Sequence, residues 1–363
     1  MRLFQNSGIY TAYRPRLARL TADCRCFSDR RNKFLEDRYS ACHILEPVYK
    51  GNETTFFTNG DDLQLQKMWA HENGLSSKST LESILLAQIE HHRTEVFYNL
   101  DPMRYGNKFV ASLPGCVKCT IAWRAAPSGS SSFSAYDRVV CNFQSILRDH
   151  EANGCNSAYF APSHDPVMDR FAANAYRPID VLFVGGYSRH HQTRAEMLEK
   201  VANMGSKVNI VFHLDRSRLT RLAESTIGKL PLLNRFRCPQ SIRKVSANAV
   251  FGLDLYAALS SAKIVLNGAV DMAGKDRGNM RCWEAMGCGA LMLSDEGVYP
   301  SNMKPNRDFA LYKDASDVVD RITSILSDFA VWQPMADHGR LTVSTEYSKS
   351  AQWLSFLRIV ESI

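Results

Sequence analysis

The 363-residue chain has no uninterrupted apolar run long enough to cross a bilayer as a helix, which takes about 18 residues. Its first residues, MRLFQNSGIYTAYRPR, lack the apolar centre of a secretory signal. Both absences predict a cytoplasmic protein. The only CxxC is Cys116–Cys119, and no second pair follows at a matching spacing, so no zinc or other metal site is expected. The ten cysteines are scattered and read as reduced core thiols. There is no GxGxxG and no GxxxxGK[ST]; a nicotinamide-dinucleotide fingerprint and a phosphate loop are both missing. Zinc-finger, RNP and helix-turn-helix patterns are absent, and the aromatics do not interleave with the basic residues, so nucleic acid is not expected as a partner. No repeat of fixed period is present, which excludes a solenoid.

What is present is an ordinary globular composition, 45% hydrophobic and 22% charged, at a length that suggests two domains. The net charge of +7 is unevenly spread. Residues 207–244 hold nine Lys/Arg against two acids, and residues 1–38 hold nine against four. Such segments are either solvated faces or attract an anionic substrate or membrane surface.

The second half alternates short apolar strands with helices. IDVLFVGG (179–186), KVNIVFHLD (207–215), KIVLNGAV (263–270), ALMLSD (290–295) and DFALYKD (308–314) read as strands. Helical patterns separate them, among them TRAEMLEKVANMG, LDLYAALSSA and NMRCWEAMGCG. This predicts a parallel, doubly wound sheet. The first half is less regular: strands are expected at 94–101, 117–123, 136–143 and 156–162, with SGSSSFS (128–134) a flexible loop. SHDPVMDRFAANAYRPID (163–180) fits a linker, and SAQWLSFLRIVESI closes the chain as an amphipathic helix with Trp353, Phe356, Leu357 and Val360 on one face. The expected fold class is α/β: two α/β domains in series with a cleft between them.

In such sheets ligands bind outside the carboxyl ends of the strands. Gly185 and Gly186 end a strand, and Arg189 and Arg194 stand at the start of the next helix, where cations and backbone N–H groups suit a diphosphate. His213 follows the second strand of that domain. Arg281 and Glu284, three positions apart, share a helix face. That helix is apolar nearly all round and therefore buried, and a buried carboxylate needs a partner or a ligand. Glu284 is the candidate to accept two hydrogen bonds from a ribose diol. Asp276, eight positions before it in a glycine-containing loop, is free to approach a sugar hydroxyl. In the first domain Asp101, after the strand TEVFYNL, is the first candidate for a general base.

The stretch LDLYAALSSAKIVLNGAVDMAGKDRGNMRCWEAMGCGALMLSDEG closely resembles the C-terminal domain of GT-B glycosyltransferases, in particular the CgeB-like, "glycosyl transferases group 1" branch. Asn279, Arg281 and Glu284 fall on the run that carries the likeness, which extends over roughly residues 136–350. The resemblance implies a GT-B fold, two Rossmann-like domains whose parallel sheets face a central cleft: residues 1–165 an acceptor-binding domain, 166–345 a nucleotide-sugar-binding domain, and 346–363 a helix packing back on the first. It implies transfer of a sugar from a UDP- or GDP-linked donor to the hydroxyl of a glycan or lipid-linked acceptor. No cofactor and no catalytic metal are implied. The basic segments would meet an anionic membrane peripherally. Retaining relatives carry two glutamates eight positions apart; Asp276 and Glu284 keep that spacing with Asp in the first place, which slightly favours retention. A nucleotide-sugar epimerase on the same fold and a non-catalytic carbohydrate- or phosphate-binding protein are the alternatives.

Overall fold

The computed structural model describes residues 1–187, 192–225, 233, 236–268 and 271–363. Six parallel strands form the first sheet: β1 (Leu3–Ser7), β2 (Thr55–Asn59), β3 (Val96–Asn99), β4 (Cys119–Trp123), β5 (Arg138–Cys141) and β6 (Ser157–Tyr159). Their order is β2-β1-β3-β4-β5-β6. Six more form the second: β7 (Ile179–Gly185), β8 (Ile210–Leu214), β9 (Ser246–Asn248), β10 (Ala262–Leu266), β11 (Leu291–Asp295) and β12 (Ala310–Tyr312), in the order β12-β11-β10-β7-β8-β9. Both are doubly wound, and the strand order reverses at β1/β3 in one and at β7/β10 in the other. Chain contacts group residues 1–165, 272–280 and 347–363 into one unit and residues 166–271 and 281–346 into another. Among the described residues no helix is long and apolar enough to cross a membrane.

The second sheet is built as its sequence suggests. Val181, Ile264, Leu291 and Leu293 are buried with Met197, Leu198 and Val201 of the helix Gln192–Ala202, so apolar strands are covered by helices. Only β9, the three residues SAN, escapes the pattern, being too short and polar to announce itself.

The first sheet differs. β1 reads LFQNS, and Gln5, Asn6 and Ser7 are as buried as Leu3 and Phe4. Hydrogen bonds make this tolerable. Asn6 Nδ2 donates to Asn99 Oδ1 at 2.9 Å, and Asn6 Oδ1 accepts from the Gly60 N–H at 2.9 Å. Asn99 Nδ2 in turn donates to the Tyr136 hydroxyl at 2.6 Å. A polar spine thus runs across the middle of the sheet and pins the carboxyl ends of β1 and β3.

Two local expectations are corrected and a third is refined. Phe133, inside the stretch read as a loose loop, is 1% exposed and packs with Phe4, Phe97 and Tyr105. The segment read as a linker holds the boundary between the two contact groups, at 165/166, and carries a short helix, Val167–Ala172, with Met168 buried. The last helix, Lys349–Glu361, buries Lys349, Gln352, Phe356 and Ile359 rather than the face centred on Trp353. Lys349 can be buried because Asp165 Oδ2 lies 3.2 Å from its Nζ, and Arg38 and His43 hold the same carboxylate at 2.8 and 3.1 Å. Burial lowers the Lys349 pKa to about 8 and the His43 pKa to about 4.

Ion pairs also change the meaning of the basic N-terminal segment. Arg14 pairs with Asp61, Arg16 with Asp37, Arg30 with Asp62, Lys33 with Glu36 and Arg38 with Asp165. Much of the charge excess over residues 1–38 is therefore neutralised by carboxylates brought in by the fold.

Candidate active site

Reversal of strand order opens a crevice at the carboxyl edge of a parallel sheet, because the crossovers on either side leave in opposite directions. In the first unit this place is the end of β1 and β3. A pocket of about 330 Å³ lies there, lined by Gly8, Tyr10, Asp61, Asp101, Arg104 and Arg124, among others. Asp101 is fixed by its own backbone, whose N–H donates to Asn99 Oδ1 at 2.9 Å. Its carboxylate lies against Gly8 so closely that a Cβ there would sit 2.7 Å from Oδ2; only glycine leaves this carboxylate its position.

Asp101 Oδ2 is 3.3 Å from Arg104 Nε, and Arg104 Nη2 lies 3.9 Å from Asp61 Oδ2. Burial raises the pKa of Asp101, and the charges of Arg104 and Arg124 pull it back only in part. Asp61 is raised as well, by burial and by the neighbouring negative charge of Asp101. Two carboxyl groups with enhanced proton affinity thus share a pocket with two guanidinium groups, a setting suited to proton transfer. Asp61 and Arg104 were not singled out in the sequence. Asp61 follows β2, whose buried carboxyl end, Thr58 and Asn59, is polar.

The second unit has its reversal between β7 and β10. Gly185 closes β7 and Gly186 follows it, exposed. Arg189 lies outside the described residues. Arg194, in the first turn of the helix Gln192–Ala202, donates from Nη2 to the Gly268 carbonyl at 3.2 Å, just beyond β10. Gly185, Gly186 and Arg194 therefore converge on this edge. His213, expected to follow its strand, lies inside β8, where it pairs in register with Val184 of β7 and its Nδ1 lies 2.6 Å from the Asn248 carbonyl. One ring nitrogen is thereby engaged within the sheet.

The helix Met280–Gly287 is the next α-helix after β10, and its Cys282 Sγ lies 3.5 Å from Asn267 Nδ2 at the end of that strand. Residues 282–287 of this helix are all buried. Glu284 is 5% exposed, and its Oε2 accepts from Arg281 Nη1 at 2.8 Å. Gly289, at φ +71°, ends the helix tightly enough for β11 to begin at Leu291. The pair read from the sequence is thus formed, with Glu284 buried and Arg281 half-buried.

Asp276 and Asn279 belong to the contact group of the first unit. Asp276 Oδ2 accepts from the Ser145 N–H at 2.5 Å, at the start of the helix Gln144–Ala152. Ser145 Oγ donates to the Ala273 carbonyl at 2.9 Å, and Asn142 Nδ2 donates to the Gly278 carbonyl. The loop thereby caps a helix, satisfying a backbone donor that would otherwise be orphaned. Asn279 is half-buried at the end of this loop.

Residues 194–358 match the family model described as "Glycosyl transferase-like". No curated protein matches the chain in sequence. Among solved structures, Anabaena Alr3699/HepE in complex with UDP and glucose is similar at a TM-score of 0.60 and 10% identity, covering 100% of each chain. A glycosyltransferase from Rickettsia africae ESF-5 is similar at a TM-score of 0.56 and 10% identity, over 99% of this chain and 98% of its own. Sucrose-phosphate synthase (tll1590) from Thermosynechococcus elongatus is similar at a TM-score of 0.50 and 13% identity, over 85% and 82%. The fold is GT-B.

Proposed function

We propose that the chain transfers a glycosyl group from a nucleotide-sugar donor to the hydroxyl of an acceptor. The observation that carries this is Glu284: a buried carboxylate, oriented by Arg281 at 2.8 Å, inside the segment that matches the glycosyl transferase-like model. In this reading Glu284 accepts hydrogen bonds from the ribose diol, and Arg194, Arg281 and the backbone at Gly185–Gly186 face the diphosphate. UDP is the first donor nucleotide to test, because the similar Anabaena protein carries UDP and glucose. The CgeB-like branch is part of the same proposal, resting on the run from Asn279 to Asp295.

The reaction breaks the bond between the anomeric carbon and the diphosphate oxygen and forms one to the acceptor oxygen. The acceptor proton needs a base, and negative charge grows on the departing diphosphate, where cations stabilise it. Asp101, with its raised proton affinity and its pocket at the β1/β3 edge, is the base of choice. Direct displacement assisted by a base inverts the anomeric centre. The eight-residue spacing of Asp276 and Glu284 pointed instead to retention. Asp276 Oδ2 accepts from the Ser145 N–H, and inversion with Asp101 as base is the course proposed. An acceptor at an anionic membrane surface suits the helix Arg218–Glu224, where exposed Leu219 and Leu222 flank Arg218 and Arg221.

With water as a surrogate acceptor, proton NMR reads the outcome on UDP-α-glucose. The expected first product is β-glucose. α-Glucose as the first product contradicts inversion, and a new sugar still attached to UDP favours the epimerase alternative.

A further inference from the structure

A second cavity in the first unit, about 670 Å³, is lined by Arg14, Arg25, Arg30, Lys67, Asp62 and Glu72, with His71, Leu63 and Met68 completing the wall. Its charges are not equivalent. Arg30 is consumed: it grips Asp62 through Nε at 2.7 Å and Nη2 at 3.1 Å, and donates to Thr21 Oγ1 at 2.6 Å. Glu72 is occupied by the Phe27 N–H at 2.7 Å. Arg14 pairs with Asp61 at 2.8 Å but keeps 44% of its side chain exposed.

Arg25 and Lys67 are exposed, and among the described residues neither has an ion-pair partner. Arg14 and Arg30 in the same cavity are matched with carboxylates, and two unmatched cations beside them are an invitation to an anion. Arg14 also ties this cavity to the site described above. It lines the cationic cavity, and its partner Asp61 lines the pocket of Asp101. One ion pair therefore links the linings of the two cavities.

We infer that the cationic cavity binds a phosphate or diphosphate group carried by the acceptor, through Arg25, Lys67 and the exposed side of Arg14. The word acceptor rests on the transfer reading; the anion site does not. A guanidinium offers paired donors to phosphate oxygens and an ammonium adds a point charge. Exposed Leu63, at 53%, gives the same cavity an apolar lip that suits an acceptor with a hydrocarbon portion.

The test uses the full chain with inorganic pyrophosphate. Hydrogen exchange should slow over the helices Arg14–Leu20, Phe27–Glu36 and Leu63–Glu72. Affinity by calorimetry should fall at least about tenfold in Arg25→Ala/Lys67→Ala, as expected for losing two charge-assisted contacts. The melting temperature should not change, since both side chains are exposed. Unchanged affinity in the double variant, or protection only elsewhere in the chain, overturns the proposal. Flotation with phosphatidylcholine vesicles, with and without an isoprenoid diphosphate, separates the sources. Flotation that needs both the diphosphate lipid and the two cations marks a lipid-borne acceptor. Pyrophosphate binding without flotation marks a soluble one. If pyrophosphate protects these helices while no nucleoside diphosphate binds the chain, the transfer reading falls and the anion site stands.

Discussion

Glu284→Ala is expected to weaken binding of the donor nucleotide at least about a hundredfold. A carboxylate that accepts two hydroxyl bonds from a ribose contributes about 1.5–3 kcal/mol for each, and a tenfold change in affinity corresponds to about 1.4 kcal/mol. The substitution also strands the Arg281 guanidinium, whose side chain is 16% exposed and whose Nη1 now rests on Glu284 Oε2. Glu284→Gln separates the two effects. It keeps the volume and an acceptor oxygen, so it should lose less affinity than the alanine variant. Were Glu284 merely a partner for Arg281, both variants would lower the melting temperature while nucleotide affinity stayed at the wild-type value.

Asp101→Asn should lower kcat about 10²- to 10⁴-fold, the range typical of a removed general base, with little change in nucleotide affinity. Asparagine keeps the shape beside Gly8 but cannot take a proton. The pH profile provides an independent check. Asp101 works as a base only when ionised, so kcat/KM should be full above its pKa and fall as pH drops through it. Burial raises that pKa, which sets the acidic limb above the ordinary Asp value of about 3.9. The charge of Arg104 opposes the rise, so Arg104→Gln should move the limb to higher pH. A limb that stays in place or moves to lower pH removes Asp101 from the role.

The two units were unequally legible, for a physical reason. Strands β7, β10 and β11 are apolar because helices cover them, and an apolar run is visible without a structure. The carboxyl ends of β1 and β2 are as buried but carry Gln5, Asn6, Ser7, Thr58 and Asn59; Gln5 bonds the Cys42 carbonyl, Asn6 bonds Asn99 and Gly60, and Thr58 bonds Gln66. Nothing in a hydrophobicity pattern announces such a strand, and Asp61 at its end stays hidden with it. Arg281 and Glu284 were readable because helix geometry alone brings positions three apart together. Asp276 was not, because its partner Ser145 lies 131 positions away. For the same reason the arginines of residues 1–38 looked like a charged face. Three of their carboxylates, Asp61, Asp62 and Asp165, arrive from other parts of the chain.

The central claim, a nucleotide-sugar site in the second unit built around Glu284, is tested most directly by calorimetric titration of the full chain with UDP, GDP, TDP and CMP. The account predicts that one of them, UDP first, binds one-to-one, that Glu284→Ala loses this binding, and that Asp101→Asn keeps it. Failure of all four to bind, or undiminished binding in Glu284→Ala, contradicts it.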